Sequence, residues 1–214
     1  MIIQAPGLAL PAKAQTGGTQ TGAPVGFANE LLISQLFPEY YALVKLGIVY
    51  FTVASAISPT AFAGGAAGVP IIGLYNPAAS GKDLVIIATR LGIETTGTAA
   101  VTWSINWWLG VSALPTGTLT VPFNAYSLQQ AGSVAKVFVN TAMTGSTALT
   151  GGPIPVMSGG LTAAVAVTNV TMGSLTEDGL LMVAPGNLAA LGETSGALVA
   201  AKVHCAVLWA ETPN

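Results

Sequence analysis

The stretch "AAVTWSINWWLG", residues 99–110, sets the fold class. Val101, Trp103, Ile105 and Trp107 fall on one side of an extended chain, and Thr102, Ser104 and Asn106 on the other. That two-residue period belongs to a strand with one buried face, because successive side chains of an extended chain point to opposite sides. A helical period would scatter the four large side chains around the axis. Trp108 alone of this group falls on the side away from Trp103 and Trp107.

The same period returns in "GALVAAKVHCAVLWAE", residues 196–211. Val199, Ala201, Val203, Cys205, Val207 and Trp209 share one face, and Lys202 and His204 the other. Further strand-sized runs are "GIVYFTVASAI" (47–57), "VPIIGLYNP" (69–77), "KDLVIIATRLGIE" (82–94), "GTLTVPF" (117–123), "SVAKVFVN" (133–140), "LTAAVAVTNVT" (161–171) and "GLLMVAPG" (179–186). In 82–94, Leu84, Ile86 and Ala88 are expected on one face and Val85, Ile87 and Thr89 on the other. Gly- and Pro-rich turns separate the runs, and no amphipathic helix of 10 to 15 residues lies between them. The expectation is therefore an all-β, antiparallel sandwich or barrel rather than an α/β fold.

Upstream, residues 1–28 are rich in Pro and Gly and predict an extended arm. Ile2, Ile3, Leu8 and Leu10 supply anchors for docking on a neighbour. Residues 29–46 predict a short helical segment. Asn29 can cap it, Glu30 sits where the helix dipole favours an anion, and Pro38 interrupts it. Residues 47–214 form the predicted β domain.

Composition narrows the function classes. Charged residues make up 7% of the 214-residue chain, against about 25% in an ordinary globular protein. Six Lys and Arg, dispersed, give no cationic face for nucleic acid or for anionic lipid. The most apolar window, residues 46–75, is interrupted by Pro59, Gly64, Gly65, Gly68 and Pro70, so no spanning helix is expected. The turns are Gly, Thr, Ala and Pro, unlike the polar charged loops of outer-membrane barrels. The N-terminal stretch lacks a cationic region, and Pro6 and Pro11 break its apolar part, so a signal peptide is not expected.

No charge stands between Glu94 and Lys136. The second faces of many strands carry Ala, Thr, Ser, Gly and aliphatics where a solvated sheet would be polar. A monomer of that kind self-associates. Obligate interfaces resemble a domain core cut in half, so a homo-oligomer is expected.

Reactive constellations are sparse. The one histidine, His204, neighbours Cys205 on a strand, so the two point to opposite faces and cannot form a dyad. They also fall short of a zinc set, and no cofactor is expected. Glu177 and Asp178 in "LTEDGLL" read as a solvated turn. "NPAASGKD" (76–83) has Asn76 and Asp83 where a phosphate loop needs Gly and Ser or Thr, so it reads as a turn. "GETSG" (192–196) misplaces Ser195 for a nucleophile elbow. Trp103, Trp107, Trp108 and Trp209 read as core or interface rather than a sugar platform. Enzyme activity is not expected.

Three segments together carry a resemblance. "NELLISQLFPEYYALVKLGIVYFTVAS" (29–55) resembles the "ELLxSxLxxxYYxxxxxGxVF" opening of a group of tailed-phage virion proteins. "LYNPAASGKDLVIIATRLGI" (74–93) is similar to their "LxNPxGSGxxxxLxxxxxG" segment. "GLLMVAPGNLAAL" (179–191) with the later "LWAETP" (208–213) is similar to their "GxxxVPPGxxxxxxG" and terminal "VTWEEVP". Ala184 before Pro185, and Ala210 before Glu211, depart from the pattern and bear on solvation, not on strand order. The resemblance implies a jelly roll like the trimeric tumour-necrosis-factor and C1q heads. It also implies a homotrimeric cement (decoration) protein on the capsid exterior, with the major capsid protein as partner. A receptor-binding or tail-fibre head is the alternative, for which Trp108 and Tyr126 would be the residues to mutate. Leu32, Leu36, Phe37, Tyr40, Tyr41 and Trp108 are the candidate interface residues.

Overall fold

A computed structural model describes residues 40–65, 68–95, 101–130, 132–161, 168–195 and 201–214. The chain divides into two units, residues 1–46 and 47–214; the predicted arm, 1–28, and most of the predicted helical segment, 29–46, lie outside the described residues. In the first, α1 (Tyr41–Lys45) is a single short turn. The Val44 and Leu46 amides donate to the Tyr40 and Ala42 carbonyls, both at 3.0 Å. The Lys45 ammonium lies 5.6 Å from the Tyr41 ring centroid, a cation–π contact one helical turn apart in sequence.

The second unit is the all-β, antiparallel sandwich expected from the two-residue periods. Its strands are β1 (Val49–Ile57), β2 (Ile72–Tyr75), β3 (Lys82–Thr95), β4 (Val101–Val111), β5 (Leu119–Thr120), β6 (Phe123–Asn124), β7 (Lys136–Val139), β8 (Gly151–Leu161), β9 (Thr168–Val183), β10 (Asn187–Glu193) and β11 (Lys202–Pro213). One sheet runs β6-β1-β11-β3-β9 and the other β5-β7-β2-β10-β4-β8. The long strands pair in nested fashion: β1 with β11, β2 with β10, β3 with β9, β4 with β8.

Between the sheets lies the main core. Trp107, Ile105 and Leu191 from one sheet join Trp209, Val207 and Ile86 from the other, all inaccessible to water. The alternation of β11 is as expected: Val203, Cys205, Val207 and Trp209 point in, and Lys202, His204, Ala206 and Leu208 point out. In β3 the expected alternation breaks at Ile87. Trp209 pairs with Ile86 and Leu208 with Ala88, so Ile87 is an extra residue. This bulge reverses the parity. Leu84 and Ile86 point inward before it, and Thr89, Leu91 and Ile93 after it.

Other boundaries differ from the sequence reading. "GTLTVPF" is not one strand: β5 and β6 lie in different sheets, because Pro122 has no amide to continue a ladder. Of the two segments expected on either side of a turn at Glu177 and Asp178, the described residues from Thr168 to Val183 form one long strand, β9. Its ladder is interrupted where Ile86 pairs with Leu181 and Ala88 with Thr176, leaving residues 177–180 as a wide bulge. Strands β8 and β10 were not expected at all. Pro153 and Pro155 argue against a strand, yet β8 is an edge strand, where proline is tolerated. The central strand β10, "NLAALGE", is buried on both faces and shows no alternation. The turn expected at 76–83 is present. The Asn76 side-chain Nδ2 donates to the carbonyls of Lys82 (2.7 Å) and Val183 (2.8 Å), and the Ser80 backbone amide donates to the Pro77 carbonyl (2.9 Å).

A second core lies on the outer side of the six-stranded sheet. Leu188, Ala190, Tyr75, Phe138 and Trp108 present that side, and Phe62, Met143 and Leu149 from flanking loops cover it. Gly192 makes room for Phe62: an added Cβ would stand 2.4 Å from its Cδ1 and 2.7 Å from its own Cβ. Phe62 cannot retreat, because its amide donates to the Glu193 carbonyl at 2.7 Å. Gly192→Ala is therefore expected to destabilise the domain by about 1–3 kcal/mol through overpacking, read as a lower urea midpoint at unchanged slope.

Candidate functional site

Among the described residues three carboxylates are buried, each at a different place. Glu177, on the β9 bulge, points into the core instead of lying in the solvated turn expected of it. It accepts hydrogen bonds from Thr89 Oγ1 (2.5 Å) on β3 and Trp107 Nε1 (3.3 Å) on β4, and so ties the two sheets together. The turn-like composition of "TEDG" correctly marked a break in the ladder; what it concealed was the inward direction of the glutamate. Glu193, at the end of β10, accepts from the amide (2.9 Å) and hydroxyl of Ser195. Glu211, near the end of β11, accepts from Lys82 Nζ (3.1 Å), Ser133 Oγ (2.6 Å) and the Val134 amide (2.9 Å). These contacts brace strand ends and bulges. Among the described residues no three His, Cys, Asp or Glu side chains gather as a metal site.

His204 and Cys205 point to opposite faces of β11, as the strand period requires. The His204 imidazole packs closely on Gly92 of the neighbouring strand, on the outer face, where an added Cβ would collide with its Nε2. Cys205 lies in the core. Burial first, and the nearby Glu177 carboxylate second, push its thiol far above the ordinary value of 9.0. Cys205 should resist an aromatic disulfide reagent in the native protein and react with one equivalent after unfolding. The folded state holds this proton more tightly than the unfolded chain. The associated stability is therefore complete below pH 9.0 and is lost as the pH rises above it.

The surfaces of the two sheets differ. The six-stranded sheet has its outer side covered by the chain's own loops. The five-stranded sheet presents Phe51, Val53, Val85, Met182, Ala206, Leu208 and Phe123 outward. Val53 is 51% exposed, Met182 53% and Leu180, on the β9 bulge, 87%.

Among the nominated interface residues, Leu32, Leu36 and Phe37 lie outside the described residues. Tyr40 and Tyr41 stand at the start of α1, Tyr41 on its exposed side. Trp108 points away from Trp103 and Trp107 as expected. It is half-buried in the second core, its ring against the backbones of Gly64 and Gly152. Tyr126 is 56% exposed on the loop after β6, which Asn124 shapes by accepting the Tyr126 and Ser127 amides. Among the described residues no helix is long and apolar enough to cross a membrane. No known protein family, curated protein or solved structure matches the chain.

Proposed function

We propose that this chain is a non-enzymatic structural protein of a virion. In this reading it is a homotrimeric cement (decoration) protein of jelly-roll type that binds the major capsid protein on the outside of a phage head. The observation that carries the reading is the apolar outer face of the five-stranded sheet, on which Val53, Leu180 and Met182 stand exposed, in a chain whose own loops cover the other sheet. Such a face fits permanent assembly better than a life as single copies. The nested strand pairs support the jelly-roll assignment, since two Greek keys wrapped into a sandwich pair first with last and inward from there. Buried carboxylates spent on bracing, rather than gathered in one place, fit a mechanical role.

The mechanism follows from multivalency. A trimer that engages three equivalent sites on a shell converts the second and third contacts into intramolecular ones, so weak individual contacts sum to firm attachment. The segment with Leu32, Leu36, Phe37, Tyr40 and Tyr41 supplies the contacts to shell or neighbour. Counting copies on purified particles tests the reading. Hundreds per particle, distributed over the head, are expected; a few dozen or fewer at the tail would favour the receptor-binding alternative, for which Tyr126 is the exposed aromatic. Deleting residues 1–28 is expected to reduce head occupancy, and unchanged occupancy would remove the arm from the account.

A further inference from the structure

We infer that the loop after β6, residues 124–129, is a preformed apolar knob that plugs into a recess on the shell protein, with Leu128 and Tyr126 as its tip. This deepens the capsid-binding reading above and rests on it, since it names the part of the domain that meets the shell.

Leucine is a poor choice at position 128 for the chain on its own, and for two reasons. Its φ is 56°, in the left-handed region where a Cβ crowds the following carbonyl oxygen. Glycine and asparagine take up that conformation far more readily. The side chain is also 67% exposed, so it adds little to the core. Tyr126, two residues earlier, is 56% exposed. Backbone strain that the surrounding structure holds in place, under an apolar side chain turned to water, marks a contact made with something else.

The surroundings do hold it. Every backbone amide from Asn124 to Gln129 donates a hydrogen bond. The Asn124 amide donates to the Gln129 carbonyl (2.9 Å), the Ala125 amide to the Val49 carbonyl (2.8 Å) and the Leu128 amide to the Asn124 carbonyl (2.8 Å). The Tyr126 and Ser127 amides donate to Asn124 Oδ1 (2.9 and 3.1 Å), and the Gln129 amide to Ser127 Oγ (3.3 Å). Asn124 Nδ2 donates in turn to the Gly47 carbonyl at 2.6 Å, which fastens the loop to the start of the β domain. A loop fixed in this way gives up little conformational freedom on binding, which raises its affinity for a matching recess.

Position and charge favour the shell as the occupant. Val49, which accepts the Ala125 amide, pairs with Ala210, and Ala210 with Val85, at the strand ends. The loop therefore stands at an end of the sandwich and stays open whichever sheet face meets another copy. Gly47, whose carbonyl the loop holds, is the covalent link to residues 29–46, the segment nominated for shell contact. Val111, 75% exposed where β4 closes, lies at the same end. It pairs with Asn187, just past the turn from Val183, and Val183 pairs with Leu84. No charge stands between Glu94 and Lys136, a span that holds both the loop and Val111, so the recognised surface is apolar rather than ionic. An aliphatic tip suits a recess in a protein. Against a glycan it would cover hydroxyl groups without giving them hydrogen bonds.

Binding of the full chain to purified phage heads assembled without it tests this, with the bound amount read after the particles are sedimented. Leu128→Asn removes the apolar tip and keeps a residue at ease in the left-handed region. It is expected to unfold at the urea midpoint of the wild type or above it, to keep the wild-type oligomeric state in sedimentation velocity, and to bind heads at least about tenfold more weakly. Leu128→Gly should behave alike and replaces the first variant should that one fail to fold. Leu119→Asn, at a leucine 48% exposed on β5, is expected to bind as the wild type does. Equal binding by the wild type and Leu128→Asn would overturn the knob. Lower urea midpoints for both Leu128 variants would show that the side chain serves the fold, and would overturn it too. A changed oligomeric state in Leu128→Asn would show that the tip joins copies, and would overturn the shell as its occupant. A wild-type chain that binds no heads would instead overturn the capsid-binding reading itself.

Discussion

Replacing Trp107 by alanine is expected to lower the unfolding free energy by about 3–5 kcal/mol, the range for truncating a large aromatic in a closed core. Trp107 has no exposed surface and faces Trp209, Ile86 and their neighbours across the sandwich. Its indole N–H donates to both Thr89 Oγ1 and Glu177 Oε1, each at 3.3 Å. Truncation therefore opens a cavity and also removes one of two donors to a buried carboxylate. Glu177 Oε2 already lacks a partner among the described residues, so little is left to compensate. Domains of this kind are stable by only about 5–15 kcal/mol, so the variant gives up a large share of the total. Trp107→Phe, which refills part of the volume and supplies no donor, should fall between. Urea denaturation at matched protein concentration measures all three proteins, since assembly adds a concentration-dependent term. A loss below about 1 kcal/mol for the alanine variant would mean that the core is packed otherwise than described.

Glu211→Ala is the second large effect, expected to cost about 3 kcal/mol or more, because hydrogen bonds to charged acceptors contribute about 1.5–3 kcal/mol each. The carboxylate is inaccessible to water and takes Ser133 Oγ and the Val134 amide on one oxygen and Lys82 Nζ on the other. It fastens the end of β11 to β3 and to the segment entering β7. The cost should be asymmetric. The Lys82 side chain is 33% exposed, so Lys82→Met forfeits a partly screened ion pair worth about 1 kcal/mol or less. Glu211 keeps its other two donors in that variant. Equal losses from the two substitutions would show that the ion pair, not the hydrogen bonds, carries the site.

The alternating strands were legible because their neighbours differ on the two faces. Trp103, Ile105 and Trp107 announced β4, and Val203, Cys205, Val207 and Trp209 announced β11. β10 was not legible, since "NLAALGE" is covered on both sides and a run of Leu and Ala carries no period. β8 was masked by prolines that only an edge position admits, and edge position is a property of the assembled sheet. The Ile87 bulge reverses inward and outward within β3, and nothing local in "LVIIATRLG" marks it. The surface inference fared differently. The scarcity of charge predicts that more than one face is kept from water; Val53, Leu180 and Met182 are exposed on the five-stranded sheet, so whether other copies cover them is a question for measurement in solution. Glu193 and Glu211 escaped notice because a lone acid in a sequence reads as solvated, and Glu177, beside Asp178, reads as part of a solvated turn; the partners of all three come from residues distant in the chain or from a turn.

The direct test of the account is the mass of the purified full-length chain in solution at micromolar concentration. Three copies per particle are predicted, with an unfolding midpoint that rises with protein concentration. A folded single copy, with a midpoint indifferent to concentration, would contradict it.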